Sequence, residues 1–231
     1  MSVRTPSVTT SPYRAALGAA FDDLHPRLQA YFDAIPVGAV GRGSGVFDSV
    51  GTPRRWLWPV LAVLGNAHVM FPVWERSVPF TVENRPAAAD GAAAVAAIRT
   101  FHLRGRPVAM VDEIRVEDGA LVDRLGVPAR VEARFSARVR DGGLRLRSNA
   151  VWLLVGRARL RIARFIAPVV VLTERWDAQT ERQLVSIAVT APGIGRIYQY
   201  SGRFRYEITG QRDTVQREAE QDYAEQGERS E

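Results

Sequence analysis

The chain has 231 residues, 46% of them apolar, enough for one large domain with a sizeable core. It contains no cysteine, which excludes disulfides, thiolate nucleophiles and Cys-ligated metals; His25, His68 and His102 show no ligand spacing, so no metal or other cofactor is expected. Every basic side chain is an arginine, and the formal charge of +6 divides into −4 over residues 211–231 (seven acids, three arginines) and +10 over the remainder, which is +6 minus −4.

A basic body attracts phosphates or an anionic surface, although a solvated arginine face is the plainer reading. Residues 1–10 are polar, lack the apolar core of a secretory signal and read as a disordered lead, so a cytoplasmic chain is expected. Ser11-Pro12 is a helix start, with Ser as cap and Pro at the first helical position. Tyr13, Leu17, Phe21, Leu24 and Leu28 follow at helical spacing, and His25-Pro26 kinks or splits that helix. Gly38 to Gly45 reads as a glycine-rich loop; no Lys-Ser/Thr follows it and no strand precedes it, so nucleotide binding is not supported. The uncharged run Trp56–Trp74 approaches the length of a membrane span but is broken by Pro59, Gly65, Asn66, His68 and Pro72. Its Trp56, Trp58, Phe71 and Trp74 either cover the core or dock on lipid, the first being the plainer role.

From Val78 onward the hydrophobic period becomes two. In Ala129–Arg140 one face carries Ala129, Val131, Ala133, Phe135, Ala137 and Val139, and the other carries Arg130, Glu132, Arg134, Ser136, Arg138 and Arg140. About ten such strands, punctuated by glycine turns, predict a mainly β domain over residues 11–210. Its form is a strongly curved antiparallel sheet or barrel with one or two N-terminal helices; an α+β arrangement is the alternative. Residues 211–231 are Gln/Glu-rich and read as a disordered tail or a frayed helix.

Two-residue hairpin loops set the register. A Gly142-Gly143 loop places Val139 opposite Leu146, Phe135 opposite Ala150, Ala133 opposite Trp152 and Val131 opposite Leu154. It also sets Arg138 against Arg147 and Arg140 against Arg145, an outward cluster that calls for solvent, carboxylates or an anionic partner. A Gly105-Arg106 loop places Arg99 opposite Asp112 on an otherwise apolar face. An Asp118-Gly119 loop pairs Ile114 with Asp123, which joins the same face. The resulting inward trio, Arg99, Asp112 and Asp123, is either an ion network that fixes register or the floor of a pocket. An arginine between two carboxylates should keep both ionised, which favours binding over general-acid chemistry. A four-residue loop Ala178–Glu181 pairs Leu172 with Ile187 and Val170 with Val189, and turns Glu174 and Trp176 inward. The last strand places Tyr198, Tyr200, Gly202, Phe204, Tyr206 and Ile208 on one face, as aromatic core or cavity wall.

The order of landmarks carries a resemblance. It runs His25-Pro26, Gly43-Ser44-Gly45, Arg54–Leu61 (R-R-W-L-W-P-V-L), Val78–Asn84 (V-P-F-T-V-E-N) and Arg99–Phe101. It continues through Leu121–Gly126, Asp141–Ser148 (D-G-G-L-R-L-R-S), Glu174–Asp177 (E-R-W-D) and Tyr200–Phe204 (Y-S-G-R-F). Over residues 12–208 this resembles DUF4166, a bacterial family of unknown function. The resemblance brings no assigned activity and no catalytic residues. It implies a stand-alone protein or a module joined to a nucleotide-binding reductase-like domain. No strand–GxGxxG–helix unit occurs here, so such a reductase would be a separate chain.

The leading expectation is a small amphipathic or anionic ligand held inside the curved sheet by Arg99, Asp112, Asp123, Glu174, Trp176, Tyr198 and Tyr200. The alternatives are an enzyme using Asp112 or Asp123 as acid/base and a membrane- or partner-binding module using Trp56–Trp74. Nucleic-acid binding through Arg138, Arg140, Arg145 and Arg147 ranks last, because no base-stacking aromatics are interleaved there.

Overall fold

The computed structural model describes residues 10–89 and 92–210. The expected lead, apart from Thr10, and the expected tail over 211–231 lie outside these residues.

Ser11 caps α1 (Pro12–Leu17), its Oγ accepting from the Arg14 amide at 3.0 Å. A 3₁₀ turn follows over Gly18–Asp23. His25 then caps α2 (Pro26–Phe32), its Nδ1 accepting from the Arg27 amide at 3.2 Å. Proline cannot donate within a helix and restricts the residue before it, so His25-Pro26 splits the helical segment as expected.

Eleven strands follow among the described residues. They are β1 (Ala39–Gly51), β2 (Trp74–Ala89), β3 (Ala92–Leu103), β4 (Arg106–Glu117), β5 (Ala120–Leu125) and β6 (Val131–Arg140). After these come β7 (Gly143–Val155), β8 (Ala158–Arg161), β9 (Val169–Asp177), β10 (Arg182–Ala191) and β11 (Gly195–Gly210). All pairings are antiparallel, and the β6–β7 pairing closes the sheet into a ten-strand barrel, with β8 added at the edge of β7. Closure removes the unpaired edges that an open sheet would expose.

Gly38–Gly45 is mostly strand rather than loop. Gly41, Gly43 and Gly45 fall on the inner face of β1, where a Cβ would overlap the Tyr206 hydroxyl, the Val82 side chain and the Arg203 carbonyl respectively. At Gly45 the backbone of β11 leaves no room for a side chain, and at Gly41 and Gly43 the space is taken by side chains of neighbouring strands.

Two registers are as expected: Ile114 opposite Asp123, and Leu172 opposite Ile187 with Val170 opposite Val189. Two others differ by two residues. The β6–β7 loop is Asp141-Gly142, both at positive φ (51° and 71°), and Val139 faces Leu144 instead of Leu146. A slip of two residues preserves which face is apolar, so alternation alone cannot detect it. The positive-φ preference of Asp-Gly is what selects the observed turn. A bulge at Arg134/Phe135 then pairs Phe135 with Ser148, Ala133 with Val151 and Val131 with Leu153, and turns Trp152 outward opposite Glu132. Arg138 faces Arg145, and Arg147 faces Ser136.

Each end of the barrel is covered. The N-terminal segment seals one end with Phe21, Leu24, Leu28 and Phe32, buried against Leu121, Phe135 and Leu144. At the other end Thr52–Val73 folds across, with α3 (Trp58–Gly65) placing Leu61 against Phe71, Val189 and Tyr198. The Trp56–Trp74 run is therefore largely a lid. Among the described residues no helix is long and apolar enough to cross a membrane.

Candidate functional site

The two lids leave a polar group between them inside the barrel. The β3–β4 loop is Arg104-Gly105, so Arg99 faces Met110 and Asp112 faces Ala97. The expected common rung is thus replaced by a diagonal. The two side chains still share the inner face, and Arg99 Nη1 donates to Asp112 Oδ1 in a salt bridge with 21% and 6% of the two side chains exposed. Asp123 joins them from β5 but makes no salt bridge, and its buried Oδ1 has no hydrogen-bond partner among the described residues. The arginine therefore serves one carboxylate instead of bridging two.

Glu174 enters from β9, buried, and accepts a hydrogen bond from Gln183 Nε2 on β10. Trp176, two residues on, stands at the barrel rim and not in the interior. It stacks on His25 at 5.7 Å, lies beneath Arg27, and lines an open outer groove of about 1020 Å³. Tyr198 and Tyr200 are buried in the wall. Tyr206 is half-buried, its hydroxyl accepting from Asn84 Nδ2 at 3.4 Å, and Ile208 is exposed, so only part of that face is interior.

Burial dominates the electrostatics. It pushes Asp123 well above the usual carboxylate range, and the Asp112 charge pushes it further; Arg99 pulls back only partly. Burial also raises Asp112 against the pull of Arg99, and lifts Glu174 to about 7 although Gln183 and Arg99 hold it down. An arginine beside Asp112 and Asp123 is expected to hold both carboxyls low; burial instead raises both, because desolvation outweighs the pull of Arg99. The Tyr13 and Tyr31 hydroxyls from the N-terminal lid are raised by burial and then by the Glu174 charge. Sequence reasoning placed Tyr13 on a helix face but had no signal that the lid would bring it to the polar group.

A cavity of about 110 Å³ lies against this group. Arg99, Asp112, Asp123, Tyr198 and Tyr200 contribute to its wall, and Val151, Val170, Leu172 and Ile187 supply an apolar side. Tyr13 closes it at one end, and Val69, Met70 and Pro168 line it toward the other. A second space of about 20 Å³, large enough for one water, lies on the other side of the Arg99–Asp112 pair beside Tyr31 and Asn84. Ser148 points inward, but its Oγ accepts the Val170 amide at 2.8 Å and so anchors the start of β9. Among the described residues no three His, Asp or Glu side chains group as metal ligands.

The family model described as Domain of unknown function (DUF4166) matches residues 24–204. The chain belongs to this family. The matched span runs from Leu24 in the lid to Phe204 on β11, so the DUF4166 region holds the barrel up to the last part of β11, with Arg99, Asp112, Asp123, Glu174 and Gln183, but not Tyr13. No curated protein and no solved structure matches the chain.

Proposed function

We propose that the barrel binds a small amphipathic molecule in the cavity between its lids. The carrying observation is the Asp123 Oδ1 atom, buried without a partner in a cavity that has one extended apolar side. An unsatisfied buried polar atom costs roughly 1–3 kcal/mol, and a ligand donor placed against it recovers that cost. The apolar body lies along Val170, Leu172 and Ile187, and the polar end meets Asp123 and Asp112. Arg99 is already engaged by Asp112, and it also feels the Asp123 and Glu174 carboxyls. A hydroxyl or ammonium head therefore fits better than the carboxylate or phosphate that a lone inward arginine suggests. The volume suits a body on the scale of one aromatic ring.

The test is thermal shift and calorimetry with phenethyl alcohol, phenethylamine and phenylacetate, which share a body and differ in the head. The alcohol or amine should raise the melting temperature of the native chain, the acid should not, and Asp123→Leu should remove the effect while keeping native circular dichroism. Equal response to all three heads, or binding unaffected by Asp123→Leu, would refute the assignment.

A further inference from the structure

The barrel ends differ in charge and polarity in a way independent of the cavity. The end covered by the Thr52–Val73 lid is built from five connecting segments, residues 52–73, 103–107, 126–130, 153–168 and 191–197. Together these contain ten arginines and no Asp or Glu. The opposite end has Glu117 and Asp118 at one turn, Asp141 at another, and Asp177 and Glu181 at a third. Gly210, from which the net-acidic residues 211–231 continue, is also at that opposite end, paired with Ala39.

The basic segments are tied into one surface. Arg54 Nε donates to the Arg196 carbonyl at 3.1 Å, the Val127 amide to Ala67 at 3.0 Å, and the Leu154 amide to Arg130 at 2.8 Å. The carboxylates nearest in the adjoining strands are already used. Glu75 accepts the Arg104 amide at 3.1 Å, and buried Glu132 is held by Arg124 and Arg159. Among the described residues no other of the ten arginines forms a salt bridge with a carboxylate.

This end also carries the exposed apolar side chains. Among the described residues, every large apolar side chain more than half exposed lies here except Val37. On the lid, Trp56 in the 3₁₀ turn Arg55–Leu57 is 61% exposed, and Val60 and Val63, three apart on the outward face of α3, are 61% and 70% exposed, while Leu61 points into the core. Phe165 and Ile166, 78% and 58% exposed, project from the turn between β8 and β9. Isolated exposed hydrophobics mean little, but their concentration within a ring of arginines does.

We infer that this end docks on a lipid bilayer carrying anionic headgroups. Arginines near such a surface each add roughly 1 kcal/mol, and apolar side chains that enter the headgroup region supply the rest. Tryptophan and phenylalanine favour that depth. A nucleic acid would use the arginines but would gain nothing from Val60, Val63 and Ile166. Val69, Met70 and Pro168 of the cavity wall face the same end, so a docked barrel presents its cavity toward the lipid.

Vesicle co-sedimentation tests this with the full chain on phosphatidylcholine vesicles, with and without 30% phosphatidylserine. The native chain should bind the anionic vesicles at least tenfold more tightly, with a blue shift of tryptophan emission. Arg157→Ser, Arg161→Ser and Arg164→Ser together should weaken binding on the order of a hundredfold. Val63→Glu with Phe165→Glu should abolish it while circular dichroism stays native, because both sites are solvent-exposed. Three results would overturn the inference. These are no binding at millimolar lipid, oligonucleotide binding that the Val63/Phe165 variant retains in place of vesicle binding, and a concentration-dependent dimer lost in that variant without any vesicle binding.

Discussion

Replacing Glu174 by Gln preserves the shape and the acceptor facing Gln183 but removes the titrating proton. The carboxyl titrates at about 7 in the folded chain against an ordinary 4.5. At 1.36 kcal/mol per pH unit that difference is worth about 3 kcal/mol. A raised folded value means that the native state holds the proton more tightly than the unfolded chain. The stabilising contribution is therefore complete below about pH 4.5, declines through the interval up to about 7, and is absent above it. Native protein should lose about 3 kcal/mol of unfolding free energy across this window on account of Glu174, and Glu174→Gln should not. Asp112 and Asp123 titrate in both proteins, so the difference between them isolates Glu174. Urea unfolding followed by tryptophan fluorescence at pH 5 and pH 8.5 measures it. The variant should match the native chain within about 1 kcal/mol at pH 5 and exceed it by about 3 kcal/mol at pH 8.5. Parallel pH profiles would show that Glu174 is solvated or paired in solution, and the account of the buried polar group would fail.

Other substitutions probe the same framework. Arg99→Met strands Asp112 without its cation and should cost roughly 3 kcal/mol in urea unfolding, with Arg99→Met plus Asp112→Asn recovering part of the loss; an unaffected single variant would mean the pair is unimportant. Gly142→Ala, at φ 71°, should cost about 1 kcal/mol by the same assay, because an L side chain resists that conformation at the β6–β7 turn; no loss would show that Gly142 is not held in the left-handed region there.

The barrel could be read from the sequence because alternation and turn residues are local signals. Ala133–Val139 and the tyrosine strand show period two directly, and Asp118-Gly119 fixes its hairpin without ambiguity. Those signals placed Arg99, Asp112 and Asp123 on one inner face. They could not distinguish registers two residues apart, so the Arg99–Asp112 pair came out as a rung where the fold makes a diagonal. Nor could they detect the bulge at Arg134/Phe135, which turns Trp152 outward, because a bulge changes the face without changing composition.

The sequence by itself determined an antiparallel β domain with a split N-terminal helix and a charged cluster facing inward. The tertiary structure alone decided that the sheet closes, that lids cover both ends, and that Tyr13 and Gln183 join the cluster. It also decided that desolvation, and not the neighbouring arginine, governs the protons of Asp123 and Glu174. The same holds for the ten arginines, which lie in five separate stretches of sequence and become one surface only because antiparallel strands bring alternate connections to the same end of a barrel. Periodicity along a chain records which way a side chain points. Which segments meet, and how much water they exclude, depends on contacts between residues far apart in sequence.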